Sequence, residues 1–127
     1  MNIPASKRVT NGLIIAVFSL LVVCAKLFLD YSMLALRTEF ASEQIATFDE
    51  MGTRALQSNV ADAASSLRYA SCYYPSGTKQ IPGSRLDRLV ERERSKVILA
   101  IIGHLRTRTG EDLGDAPEQW IEKYTRK

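Results

Sequence analysis

Few side chains in this sequence could do chemistry, and they do not stand together. The chain has one histidine, His104, and two cysteines, Cys24 and Cys72. A metal centre needs His, Cys or carboxylate ligands at turn or helix spacing, and no H-x-x-H, E-x-x-H or C-x-x-C occurs. A nucleophile needs a base beside it, and the candidate partners of His104 (Cys72, Asp87 and Asp112) are scattered along the chain. Near the end of a predicted helix, His104 suits a simpler task, complementing the helix dipole or capping a carbonyl. Gly77-Thr78-Lys79 has the look of a phosphate loop, but the G-x-x-x-x-G-K-[ST] pattern is missing and no apolar strand precedes it. Cys24 sits in an apolar stretch and cannot easily meet Cys72. Cys72 is therefore expected to be a buried free thiol, with an intermolecular disulfide as the alternative. These residues predict no enzyme, no cofactor, no metal and no small-molecule substrate.

Charge narrows the partners further. The chain carries 17 basic and 14 acidic residues, a net +3. Three of the basic residues, Lys7, Arg8 and Lys26, precede Asp30. From Tyr31 onward 14 basic residues face 13 acids, a balance of +1, so the excess is not a nucleic-acid footprint and no nucleic-acid partner is expected.

What the chain does have is an apolar run, Leu13 to Leu29, in which Lys26 is the one charged residue. At about 1.5 Å per helical residue it covers roughly 25 Å, close to a hydrocarbon core. Its lipid-facing residues are expected to be Leu13, Ile14, Ile15, Val17, Phe18, Leu20, Leu21, Val22, Val23, Leu27, Phe28 and Leu29. Three readings compete. It can be a permanent single-pass signal-anchor, with Lys26 snorkelling to the headgroups. It can be a secretory signal cleaved after Val23-Cys24-Ala25. It can be a lipoprotein signal ending at Cys24, although Val23 fits that poorly. Hydrophobicity runs on through Leu27-Phe28-Leu29, which favours the anchor. Lys7 and Arg8 make the N-terminal side cytoplasmic. The predicted organisation is a cytoplasmic tail over 1–12, a transmembrane helix over 13–30 and a periplasmic or extracellular α-helical domain over 31–127.

The elements of that domain follow from periodicity and caps. Asp30 to Gln57 reads as a helix continuing the membrane segment, unbroken to about Thr47, with one loosely spaced amphipathic face. Asn59 to Tyr73 reads as a second helix, capped by Ser58 or Asn59, with a small-residue stripe at Val60, Ala63, Ala64, Leu67, Ala70 and Ser71. Tyr74 to Ser84 holds two prolines and two glycines and reads as a loop. Ser84 to Thr107 is the strongest helix, with a capping-box-like Ser84/Asp87 pair and one face of Leu86, Leu89, Val90, Val97, Ile101 and Leu105. Its second half, VILAII, is apolar around most of its circumference and is expected at the buried centre. Gly110 and Gly114 then turn the chain, and Asp115 is expected to cap a short helix with Trp120 and Tyr124 on one face.

The string from Thr109 to Trp120, T-G-E-D-L-G-D-x-P-E-x-W, resembles the segment that closes HEAT-like helical repeats in many bacterial proteins. There a Thr-Gly-x-x-x-Gly turn leads to a Pro and a Trp that seals a helical pair. The resemblance implies α-helical hairpins and a scaffolding or binding role. Trp120, Ile121 and Tyr124 are thus expected to seal the domain, docking on the face around Ile101 and Leu105, with Glu111, Asp112, Asp115 and Glu118 turned toward Arg106 and Arg108.

The fold class is all-α. The expected function is a membrane-anchored interaction or scaffold protein, held in the lipid bilayer and working through a protein partner. The alternative is a small cell-envelope component of the inner membrane that forms a homo-oligomer through its juxtamembrane helix.

Overall fold

The computed structural model describes residues 5–73 and 80–125. The chain is all-α, and no strand occurs among the described residues. Its helices are α1 (Ala5–Leu56), α2 (Val60–Arg68), α3 (Arg85–Thr109) and α4 (Pro117–Thr125). The loop expected from Tyr74 lies, over 74–79, outside the described residues. The chain forms two units, Met1–Leu36 and Arg37–Lys127. In the first, α1 shows its apolar side chains on every side. The second is a packed helical domain.

α1 runs past Thr47 as far as Leu56. Its buried positions in the second unit are Ala41, Gln44, Phe48, Gly52 and Ala55, with Met51 half-buried. That is a near-heptad stripe, tighter than the loose face read from the sequence. Alanine, glycine and glutamine carry little hydrophobic signal, so the stripe was hidden. Gly52 shows why small residues stand there: a Cβ at this position would lie 3.1 Å from Val97 Cγ1 of α3. His104 reaches the Ser58 carbonyl just beyond α1, Nε2 to O 3.4 Å. Gln80, preceding α3, bonds the Arg37 carbonyl. The order of these three contacts makes α3 run in the same direction as the second half of α1.

α2 begins where expected. Asn59 accepts from the Asp62 N–H at 2.9 Å and its amide donates to the Asp62 carboxylate at 2.8 Å. The helix does not continue regularly to Tyr73; it widens into a π-helical turn over Tyr69–Tyr73. Arg94 of α3 takes the loosened carbonyls, its Nη1 lying 3.3 Å from Ala70 O and 3.4 Å from Ser71 O, and Glu91 holds the same guanidinium at 3.0 Å.

Ser84 caps α3, accepting from the Asp87 N–H at 3.1 Å. The reciprocal half of a capping box is absent. Asp87 accepts instead from the Gly83 N–H, one residue earlier, at 2.8 Å, while the Ser84 N–H closes a turn onto Ile81 O. Gly110 ends the helix in the left-handed conformation at φ 70°, which a side chain would strain. The VILAII stretch is buried on one side only: Val97, Ile101 and Ile102 are buried, while Leu99 and Ala100 face outward. Three neighbouring helices cover one face of α3, not its circumference.

α4 docks chiefly on α2 and less on α3, and the expected seat around Ile101 and Leu105 is one part of what it meets. Those two residues and Trp120 are all fully buried in one cluster, but the small side chains Ala63 and Ala64 let α4 approach α2 more closely. Asp115 does not cap α4. Its carboxylate accepts from Arg106 at 2.8 Å, and Pro117 opens the helix, where a missing N–H costs nothing.

Substituting Gly52→Leu should destabilise the packed unit by about 1–3 kcal/mol through overpacking against α3. Gly52→Leu combined with Val97→Ala should recover part of that loss. Chemical denaturation of the four members of this cycle, followed by circular dichroism, measures both.

Candidate functional site

Two features could carry function, an apolar surface on α1 and a locked tail on the helical unit. Each of the twelve residues expected to face lipid, Leu13, Ile14, Ile15, Val17, Phe18, Leu20, Leu21, Val22, Val23, Leu27, Phe28 and Leu29, is exposed. The exposed run does not stop at Leu29. Tyr31, Met33, Leu34 and Leu36 extend it to the boundary of the packed unit. Asp30 hid this continuation in the sequence by ending the apolar run. In the structure Lys26 Nζ pairs with Asp30 at 3.1 Å, one turn along α1, so Lys26 meets a neighbour's charge rather than standing alone. The helix is long and apolar enough to cross a membrane, and none of its most apolar stretch is buried.

The residues able to do chemistry stay apart. His104, half-buried, is engaged with the Ser58 carbonyl rather than with one of its own helix. Cys72 is exposed, which corrects the expected buried thiol; the π-helical turn carries it on its outer side. Cys24 is exposed on α1. Among the described residues no group of three or more His, Cys, Asp or Glu could hold a metal ion. A groove of about 400 Å³ opens between α1 and α2 near Glu50, Met51, Arg54 and Tyr69. Another, of about 520 Å³, lies beside Val60, Ala61, Lys123 and Tyr124. Glu50 is already paired with Arg54 at 2.7 Å, and no nucleophile–base pair lines either groove.

The tail is held by a dense set of polar bonds around one aromatic anchor. Trp120 is fully buried and donates from Nε1 to the Gly114 carbonyl at 2.8 Å. Tyr124 stacks beside it, centroids 6.2 Å apart. Arg106 bridges Asp112 and Asp115 at 2.9 and 2.8 Å. Glu111 does not turn to Arg106 or Arg108; it accepts from Lys123 Nζ and from Tyr124 OH, both at 2.6 Å. The Lys123 bond first, then Tyr124, holds the Glu111 carboxyl below the usual carboxylate range. The Gly114 N–H first, then Arg106, does the same for Asp112. The Glu111 bond pushes Lys123 and Tyr124 upward.

No known protein family matches this chain, and neither does any curated protein or solved structure.

Trp120→Ala should cost about 3–5 kcal/mol, the range for truncating a buried aromatic, read as a lowered denaturation midpoint. The carboxylates give a pH test with a definite sign. Because their folded values are depressed, their contribution is present above the ordinary carboxylate range and is lost as pH falls through the folded values. The denaturation midpoint, followed by the emission of Trp120, the one tryptophan, should therefore hold from neutral pH to about pH 5 and fall modestly below about pH 4. Glu111→Gln should flatten that acid transition.

Proposed function

We propose that this chain is a single-pass membrane-anchored helical scaffold, a protein that holds an interaction domain at a bilayer and has no catalytic centre of its own. The observation that carries the reading is the wholly exposed apolar surface of α1 from Leu13 to Leu36, joined directly to a packed helical unit. Apolar area on that scale is unfavourable in water and needs a cover, and a bilayer supplies one all round.

Lys7 and Arg8 support a cytoplasmic N-terminal side, so the helical unit would lie in the periplasm or outside the cell. The signal-anchor reading is favoured over cleavage because the exposed apolar run continues well past Ala25. The closing segment supports a binding role. Trp120 is packed into the core beneath the Gly110–Gly114 turn, as the resemblance to HEAT-like closing segments implies. A packed helical unit with solvent-facing grooves, and with no convergent polar site among the described residues, suits recognition of a protein partner. The self-assembly alternative draws less from the geometry. The stripe Ala41, Gln44, Phe48 and Ala55 on the juxtamembrane helix already packs within the chain and is not left open for a second copy.

Purification of the full chain in mild detergent tests the choice. A scaffold should appear as a monomer that brings a different protein with it in substoichiometric to equal amount. A stable oligomer without a second protein would overturn the scaffold reading in favour of self-assembly.

A further inference from the structure

The exposed apolar run on α1 ends at Leu36, and the next residue, Arg37, opens the packed unit. At about 1.5 Å per helical residue, the steps from Leu13 to Leu36 rise roughly 35 Å, which fits within the ~40–45 Å of a bilayer and its headgroup layers. If α1 is the anchor proposed above, Arg37 then stands at headgroup depth. Tyr31, exposed just before it, falls where tyrosine rings settle in membranes.

The packed unit brings a second segment to Arg37. Gln80 Nε2 donates to the Arg37 carbonyl at 3.2 Å and to Gln44 Oε1 at 3.4 Å. Both glutamine side chains are buried, so this contact fixes the start of α3 beside Arg37. The residues that follow are unusual for a domain surface. Ile81 is 51% exposed, and Pro82, Arg85 and Arg88 are exposed around it. The acid of this turn, Asp87, is buried and turned inward onto the Gly83 N–H. Arg88 is steadied by a bond from Nη1 to the Gly83 carbonyl. On α1 the exposed Glu39 lies across the helix from Arg37, because about 100° separates successive residues and Arg37 shares its face with Ala41 and Gln44. Among the described residues, the exposed Ile81 thus lies beside Pro82, Arg85 and Arg88 at the end of the unit to which Gln80 brings the half-buried Arg37, and the next acid along α3, Glu91, is bound to Arg94.

We propose that the face formed by Arg37, Ile81, Arg85 and Arg88 seats on anionic phospholipid headgroups, with Ile81 entering the interface and the guanidiniums bonding phosphate. This inference rests on α1 being the anchor. The planar fork of arginine matches phosphate oxygens, and basic side chains next to a membrane segment are drawn to anionic leaflets. The positive end of α3, which points out through the same turn, adds to the attraction. The helical unit would then be held against the leaflet in one orientation instead of swinging from its tether.

The full chain, with Cys24→Ser and Cys72→Ser, is given one dye site by Ile81→Cys or, at the far end of the unit, by Gln57→Cys. Each is reconstituted into phosphatidylcholine vesicles with and without phosphatidylglycerol, and the dye is challenged with a headgroup-borne quencher. In anionic vesicles the site at 81 should be quenched several-fold more than the site at 57. High salt, or Arg85→Glu with Arg88→Glu, should bring it down to the level at 57 while the protein still floats with the vesicles. Equal quenching at the two sites in anionic vesicles, with flotation intact, overturns the seating. So does quenching at 81 that high salt leaves unchanged; the salt arm needs no substitution and decides even if the double variant misfolds. Failure of the protein to float with either vesicle overturns the anchor, and this inference with it.

Discussion

One helix in this protein has to satisfy two surroundings. Over Leu13 to Leu36 α1 is largely apolar, the Lys26–Asp30 pair aside, and exposed on every side. From Arg37 to Leu56 it is amphipathic, with a narrow buried stripe and charged residues opposite. The backbone hydrogen bonds of a helix are satisfied internally, so the element can pass between the two without a break. What changes is the side-chain pattern, and it changes where the two units meet. The rest of the structure depends on this. The packed unit takes its first buried stripe, Ala41 to Ala55, from this same helix.

Within the helical unit, close approach substitutes for bulk. Gly52 sits against Val97, and Ala63 and Ala64 lie in the face of α2 on which α4 chiefly rests. The large buried side chains, Trp120, Phe48, Leu67, Ile101, Ile102 and Leu105, fill the space between. Polar bonds then fix what packing leaves free: Arg94 on the π-helical turn, Arg106 and Glu111 on the tail, Gln80 on α1. Several of these reach across long stretches of sequence, so each specifies how elements meet rather than whether they form.

Helix identity and caps were legible in the residues. Asn59, Ser84 and Gly110 do the tasks their types predict, because capping is a local matter of one side chain and two or three backbone groups. The apolar run was legible for the same reason. The partner of each face was not. Nothing in the residue types says that α4 would prefer α2 to α3, that Glu111 would choose Lys123 and Tyr124 over arginine, or that Cys72 would point outward. Those outcomes depend on the π-helical turn and on distances between elements, neither of which has a periodic signature. The extension of the apolar surface to Leu36 was hidden by Asp30, whose charge reads as an end until Lys26 is seen beside it.

The chain carries its own reporters for the claim on which the rest of the account stands. Cys24 and Cys72 are both exposed on the protein itself, one on the apolar segment and the other on the helical unit. Only something outside the chain can make them differ. In sealed cells or spheroplasts treated with a membrane-impermeant maleimide, and read by mass spectrometry, Cys72 should be labelled and Cys24 should be protected until the membrane is dissolved with denaturant. Equal labelling of the two thiols in the intact membrane would contradict the anchor.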